Sequence, residues 1–398
     1  MAESAVLDRP DFRALVGLLP PGWRERMRQM RLITDHPDTV LDDPDELMHL
    51  VMLHIGCDLP LRQTVRWVKE AGGPDCSHVT LHRKMRRLGP FLQETVAAMA
   101  DERLDGGGDR WAGYELTALD GSVVVSPGPT SAGGRLHVAL RLADLGVVGA
   151  QVTTTDEGET LRRFAWSAGQ LVIGDRGYAS PVGIGHVVAQ GADVLVRVNR
   201  GSLPLVGEDG ERIDLLSWVR SLGDRRPHHR TAIVRDRATD SEVPGRLVAV
   251  RLPADKVADA KRRVRREVGD DLEALEFAEW LLIFTTAPAT RLADDRLVAA
   301  YRLRWQVELL FKRWKSLCHL DKLPNYRKDT LVSWLTGKLL LLLCTERLAQ
   351  PASRGLSPPI DSTSKTANIL DHVRAAAVET HLNHLAHHHR RACSHASA

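Results

Sequence analysis

Three carboxylates carry the chemistry that this sequence suggests. Asp120 lies in the hydrophobic run ELTALDGSVVV, Asp175 closes the run QLVIG, and Glu308 lies in the amphipathic stretch YRLRWQVELLFKRWKS from Tyr301 to Ser316. Two aspartates on strands and one glutamate on a later helix can meet at one end of a sheet. An oxygen-only, strongly negative cluster of that kind suits hard divalent cations such as Mg²⁺. Two such ions stabilise the attacking and leaving oxygens of an in-line displacement at phosphorus.

The element that must deliver Glu308 is a helix. At about 100° per residue, Tyr301, Arg304, Glu308 and Lys315 fall within an arc of roughly 60°. Leu303, Val307, Leu310, Phe311 and Trp314 fill an adjoining arc about 100° wide, which is the width of a core-facing stripe. An ordinary surface helix with a Glu308–Lys312 pair would need only the apolar arc. Blander readings exist for the aspartates too. Asp120-Gly121 can be a turn, or the start of a haloacid-type phosphatase motif, although that motif wants an aspartate where Ser122 stands. Asp175-Arg176-Gly177-Tyr178 can be a turn in which Gly177 supplies a left-handed φ. Together these alternatives require three coincidences.

The 398 residues suffice for two or three domains, and a hydrophobic fraction of 43% is that of a globular protein. The net charge of +3 conceals 54 basic and 51 acidic residues, so a nucleic-acid surface must be local. Five scattered cysteines without a C-x-x-C pair fit reduced thiols better than disulfides or a zinc site. The charged N-terminus resembles no signal peptide. The longest apolar run, Leu339–Cys344, falls far short of the roughly 20 residues that span a bilayer. A cytoplasmic protein without a membrane partner is expected.

Along the chain, proline breaks and the cluster Arg24, Arg26, Arg28 and Arg31 open an all-helical region. These arginines read as a solvated face rather than a phosphate site. A helix over LPLRQTVRWVKEAG ends at Gly72-Gly73-Pro74, and Ser77 caps a basic helix carrying His78, Thr80, His82, Arg83, Lys84, Arg86 and Arg87. That pair is compatible with a DNA-binding helix-turn-helix and equally with a plain helical hairpin. After the linker Asp105–Asp109, strands are expected at Leu116–Leu119, Val123–Val125, Leu136–Leu142, Val147–Thr154, Leu171–Ile173 and Val194–Val198. Helices are expected at Thr160–Trp166 and Ala179–Ala189. This is the pattern of a mixed α/β sheet flanked by helices.

The interval from Asp175 to Glu308 is too long for one connection. It carries strand signals at Thr231–Val234, Arg246–Leu252 and Glu279–Thr285, a basic helix at Ala258–Arg266, and a basic knot of Arg225, Arg226, His228, His229 and Arg230. It reads as a mainly β insertion with a basic outer face that can track phosphates. An apolar helix at Val332–Leu348 follows. The tail contains His381, His384 and His388, more a solvated terminus than a metal site. The expected domains are a helical DNA-binding domain at 1–108, a catalytic core at 109–200 and 286–350, an insertion at 201–285, and a linker and tail at 351–398.

The spacing Tyr-x2-Arg-x3-Glu-x6-Lys, after a strand carrying Asp-Gly-Ser and another leading into Asp-Arg-Gly-Tyr, resembles the DDE transposases of bacterial insertion sequences. The resemblance is closest to the insertion sequence four family and runs from about Asp120 to Lys315. It implies a ribonuclease H-like core in which Asp120, Asp175 and Glu308 are catalytic and hold Mg²⁺, with Mn²⁺ as a substitute. It implies that Tyr301, Arg304 and Lys315 grip the DNA strand near the cut, with Arg176 and Tyr178 on the same surface. Trp280, within EWLLIFTT, would receive a flipped base by stacking. The implied reaction is cut-and-paste transposition through a DNA hairpin. Its partners would be the element's inverted repeats, target DNA and a second copy of the chain in a synaptic complex. The short region after Leu348 departs from the family. A non-catalytic DNA-binding derivative and a structure-selective nuclease are the competing readings.

Overall fold

A computed structural model describes residues 10–33, 40–101, 111–125, 133–201, 203–223, 226–236, 241–321, 323 and 328–353. Arg225, the linker at 105–109 and the histidine-rich tail with His381, His384 and His388 lie outside the described residues.

Among the described residues, five helices come first: α1 (Pro10–Val16), α2 (Trp23–Gln29), α3 (Pro44–Gly56), α4 (Leu61–Glu70) and α5 (His78–Asp101). Local chemistry sets their starts. The Asp43 carboxylate accepts from the Asp45 N–H at 2.6 Å with Pro44 in the first turn, and Ser77 Oγ accepts from the Thr80 N–H at 3.0 Å. The helix capped by Ser77 runs from His78 through Gly89-Pro90 to Asp101. Of the early arginines, Arg24 pairs with Asp45 at 2.6 Å and Arg26 with Glu94 at 2.7 Å, so they serve as solvated surface pairs.

The sheet is built from β1 (Glu115–Val125), β2 (Gly133–Arg141), β3 (Gly146–Thr154), β4 (Gln170–Gly174) and, after α6 (Pro181–Ala189), β5 (Asp193–Arg197). Next come β6 (Leu205–Val206), α7 (Leu215–Arg220), β7 (His228–Asp236), β8 (Ser241–Arg251), α8 (Ala254–Val268), α9 (Leu272–Phe277) and β9 (Trp280–Thr285). Their order is β3-β2-β1-β4-β5-β9-β8-β7-β6. β1, β4 and β5 are parallel neighbours, and every other pairing is antiparallel. The first five strands form the ribonuclease H-like mixed sheet. The strands of the expected insertion extend that same sheet, because β9 pairs with β5 on one side and β8 on the other.

Alternation along the central strands divides the interior into two cores. Leu116, Ala118, Leu171, Ile173, Leu195 and Ile283 face one core; Leu119, Val172, Val194, Val196, Leu282 and Phe284 face the other. β1 continues without interruption through Asp120-Gly121, whose partners on β2 are Val138 and His137. The turn reading of Asp120 is therefore excluded. The segment expected as a helix from Thr160 contains only one 3₁₀ turn, Leu161–Arg163. Phe164 is extended there, and the Trp166 indole N–H turns back to the Leu161 carbonyl at 2.8 Å.

The chain then enters α10 (Asp294–Leu303), α11 (Trp305–Leu317) and α12 (Lys328–Ser353). The single helix expected from Tyr301 to Ser316 is thus divided at Arg304. There the Arg304 N–H bonds to the Tyr301 carbonyl and the Val307 N–H to the Arg304 carbonyl, i→i+3 bonds that tighten the turn. Asp294 opens α10 and is held by the buried Arg246 of β8 and by His229 of β7. α12 packs on α3, α5, β2 and β3, burying Leu331, Trp334, Leu335 and Leu339–Cys344. A Cβ at Gly89 would come within 2.9 Å of Ser333 Oγ, so α5 and α12 approach closely there.

The tie between α11 and α12 is a buried ion pair. Arg313 donates to Glu346 at 2.7 Å, with side chains 7% and 8% exposed, and the Trp314 indole N–H reaches the same oxygen at 3.2 Å. Removing one partner of such a pair costs about 3–5 kcal/mol. Glu346→Ala is expected to lose that much stability in urea unfolding, and Glu346→Gln less, because it keeps an acceptor. An unchanged midpoint for the alanine variant would show that this pair does not hold α11.

Candidate active site

Strand register assembles the first half of the site. Ala118 of β1 lies opposite Ile173 of β4 in the parallel ladder. Two residues further along each strand, Asp120 and Asp175 reach the same level. They share parity with Ala118 and Ile173, so both project toward the core that receives α10, α11 and α12. Adjacent strands lie about 4.8 Å apart, which brings two carboxylates side by side at the carboxyl end of the sheet.

The helices supply the second half. Tyr301, near the end of α10 and 9% exposed, donates its hydroxyl to Asp175 Oδ1 at 3.3 Å. Arg304, at the division between the helices, donates to Glu308 Oε1 at 2.5 Å and stands 3.9 Å from Asp120 Oδ2. Its guanidinium thus links the acid of β1 to the acid of α11. Glu308 takes Arg304, not Lys312, as its i,i+4 partner, while the Lys312 ammonium lies 4.3 Å above the ring of Trp305.

Burial dominates the electrostatics. It pushes the Asp120 carboxyl up to about 7, despite the opposing charge of Arg304 and the Gly121 N–H donated to Oδ1 at 2.9 Å; Glu308 and Glu159 push in the same direction. Burial, reinforced by the charge of Asp175, pushes the Tyr301 phenol up to about 12. Burial works against the Arg304 charge, but Tyr301, Asp175 and Glu308 outweigh it and hold the guanidinium more firmly protonated than usual.

Glu159 is a fourth carboxylate that the sequence motifs do not announce. It follows β3, and burial together with the Asp175 charge raises its carboxyl above the ordinary range. A Cβ at Gly121 would lie 2.9 Å from Glu159 Oε1, and a Cβ at Gly177 would collide with Oε2. Gly177 has no positive φ. Its lack of a side chain makes room for Glu159, where the sequence suggested a left-handed turn. The only available signal was the pair of glycines placed one and two residues after the two aspartates.

The remaining candidates are dispersed. Lys315 is half-buried on α11. Arg176 is exposed and 3.9 Å from Glu267 of α8. Tyr178 is 2% exposed and belongs to the second core, with its ring against Gly174. Trp280 belongs to the same core at 7% exposure, with the Arg251 guanidinium 6.0 Å from its ring, so the indole as placed offers no open stacking face. Of the basic residues on α5, Arg83, Arg86 and Arg87 are exposed, while the Lys84 ammonium is drawn inward to the Leu32 carbonyl. Trp305, passed over in the sequence, is 47% exposed directly beside Arg304.

The donor set is carboxylate oxygen alone, and its hardness fits Mg²⁺ or Mn²⁺. As placed, no three His, Cys, Asp or Glu side chains among the described residues are gathered tightly enough to hold an ion, and the Arg304 guanidinium stands between Asp120 and Glu308.

The sheet has ribonuclease H order, Asp120 and Asp175 stand at the carboxyl end of its parallel strands, and Arg304 links Asp120 to Glu308. The sequence matches the family model of the transposase DDE domain over residues 111–344. It is 30% identical over 301 residues to the transposase for insertion sequence element IS421 of Escherichia coli, covering 73% of this chain and 81% of that one. It is 29% identical over 319 residues to the protein InsL of element IS186A from Escherichia coli strain K12, covering 78% of this chain and 86% of the relative. The chain belongs to the transposase DDE domain family of bacterial insertion sequences and is a DNA transposase. No helix among the described residues is long and apolar enough to cross a membrane.

The raised Asp120 carboxyl has a thermodynamic signature. The folded chain binds this proton more tightly than the unfolded chain, whose group titrates near 3.8. The stability the group contributes is fully present below about pH 4 and is lost as pH rises through about 7. In chelator-containing buffer, Asp120→Asn is therefore expected to melt above the wild-type chain at pH 8, with the gap closing toward pH 4. A pH-independent difference would show that Asp120 is not destabilised by burial.

Proposed function

We propose that Asp120, Asp175 and Glu308 hold divalent cations, Mg²⁺ with Mn²⁺ as a substitute, and that the chain cuts the ends of its element and joins them to target DNA. The observation that carries this reading is the common level and common face of Asp120 and Asp175, with Glu308 drawn to the same place through Arg304. Bound there, the ions would lower the pKa of an attacking water or 3′-hydroxyl and neutralise charge building on phosphorus.

The chain's own side chains do the rest. Arg304 has a planar fork of donors suited to two phosphate oxygens. The Tyr301 hydroxyl orients Asp175, and Lys315 contributes a point charge further along α11. Arg176, and Arg263 and Arg266 on exposed positions of α8, extend a basic track beside the site. Arg83, Arg86 and Arg87 on α5 give the N-terminal region at 1–108 a phosphate-binding face. The catalytic core comprises 109–200 and 286–350, with 201–285 as an extension of its sheet. Two copies act together on paired ends, excision passes through a hairpin, and the work is done on DNA in the cytoplasm.

Glu308→Gln tests the core of this reading. Cleavage of element ends in Mg²⁺ or Mn²⁺ is expected to fall by at least about 10³-fold, with end binding in a gel-shift assay nearly unchanged. Full cleavage by this variant would remove Glu308 from the site. Hairpin-ended fragments should appear on denaturing gels of the wild-type reaction; free blunt ends alone would exclude the hairpin route.

A further inference from the structure

Glu159 belongs to none of the motifs around the three acids, yet its carboxylate lies in a seat formed by β1 and by the 3₁₀ turn Arg176–Tyr178 that follows β4. One oxygen is against Gly121, the residue after Asp120, and the other against Gly177, two residues after Asp175. Any side chain at either glycine would fill that seat. The backbone around Glu159 is fixed independently. Arg163, with a side chain 9% exposed, donates to the Gly158 carbonyl at 3.1 Å and to Gln151 Oε1 at 2.9 Å. On the other side Thr160 caps the 3₁₀ turn through the Arg162 N–H at 3.2 Å, and Leu161 is wholly buried. An acid anchored on both flanks and inserted beside like charges is electrostatically costly, and Arg135 of β2 and Arg304 offset part of that cost.

We propose that Glu159 is a positioning residue of the catalytic cluster. It braces the Asp120 and Asp175 strand ends through Gly121 and Gly177, and it adds a fourth negative charge that strengthens divalent-cation binding without ligating the ion. This rests on the metal-binding reading of the three acids given above. Outer groups of this kind change metal affinity by about 10–100-fold.

The test is Mn²⁺ binding to the full chain, read from the free-ion signal in electron paramagnetic resonance, alongside thermal melting. Glu159→Gln is expected to weaken Mn²⁺ binding about tenfold while melting within a few degrees of wild type; Glu159→Asp, which keeps the charge, should recover part of the loss. Gly177→Ala should reproduce the loss by expelling the carboxylate. Combining it with Glu159→Ala should then be no worse than Glu159→Ala alone, since both act through one contact. Wild-type Mn²⁺ affinity in Glu159→Gln, or losses that simply add in the double variant, would overturn the proposal. A wild-type chain that binds no Mn²⁺, or an Asp120→Asn variant that binds it undiminished, would instead overturn the metal-binding reading beneath it.

Discussion

Parallel pairing of β1 with β4 is the constraint on which the rest depends. Like charges repel, and Arg304 is a cation that acts on both Asp120 and Asp175. The ladder that aligns Ala118 with Ile173 brings them together regardless. A slip of one residue would turn one aspartate into the opposite core and scatter the site. The hydrophobic alternation that fills both cores therefore fixes the relation between the two acids, and the folding energy of the sheet offsets their mutual repulsion.

Position on the helices is secured at a distance. Arg313 and Glu346 lock α11 to α12 in a dry setting, and α12 in turn lies across α3 and α5. Lys338 on α12 extends this network by donating to the Ile55 carbonyl at 3.0 Å and to Asp58 at 2.9 Å. The N-terminal helices thus contribute to where Glu308 stands. On the other flank, Arg246 and His229 hold Asp294 at the start of α10, so the extended part of the sheet sets where Tyr301 begins its approach.

Much of this was legible from residue order because it depends on local pattern. The strands around Asp120 and Asp175, the Ser77 cap and the apolar α12 follow from alternation, capping and helical period. What escaped notice depends on close approach between distant segments. The division at Arg304 is invisible to a wheel that assumes one continuous axis. Glu159 acquires its meaning only from two glycines, one 38 positions upstream and the other 18 downstream. Tyr178 and Trp280 carry the amphipathic character of surface aromatics, but burial is a property of the assembled cores. Lys84 misled in a similar way, since its ammonium is satisfied by the Leu32 carbonyl 52 positions upstream.

The interruption between α10 and α11 divides mechanical responsibility. Tyr301 is carried by a segment anchored to the extended sheet, whereas Glu308 rides on one clamped to the N-terminal bundle. Arg304 stands at that joint, bonded to Glu308 on one side and 3.9 Å from Asp120 on the other, so the third acid is positioned from the bundle and the phenol from the sheet.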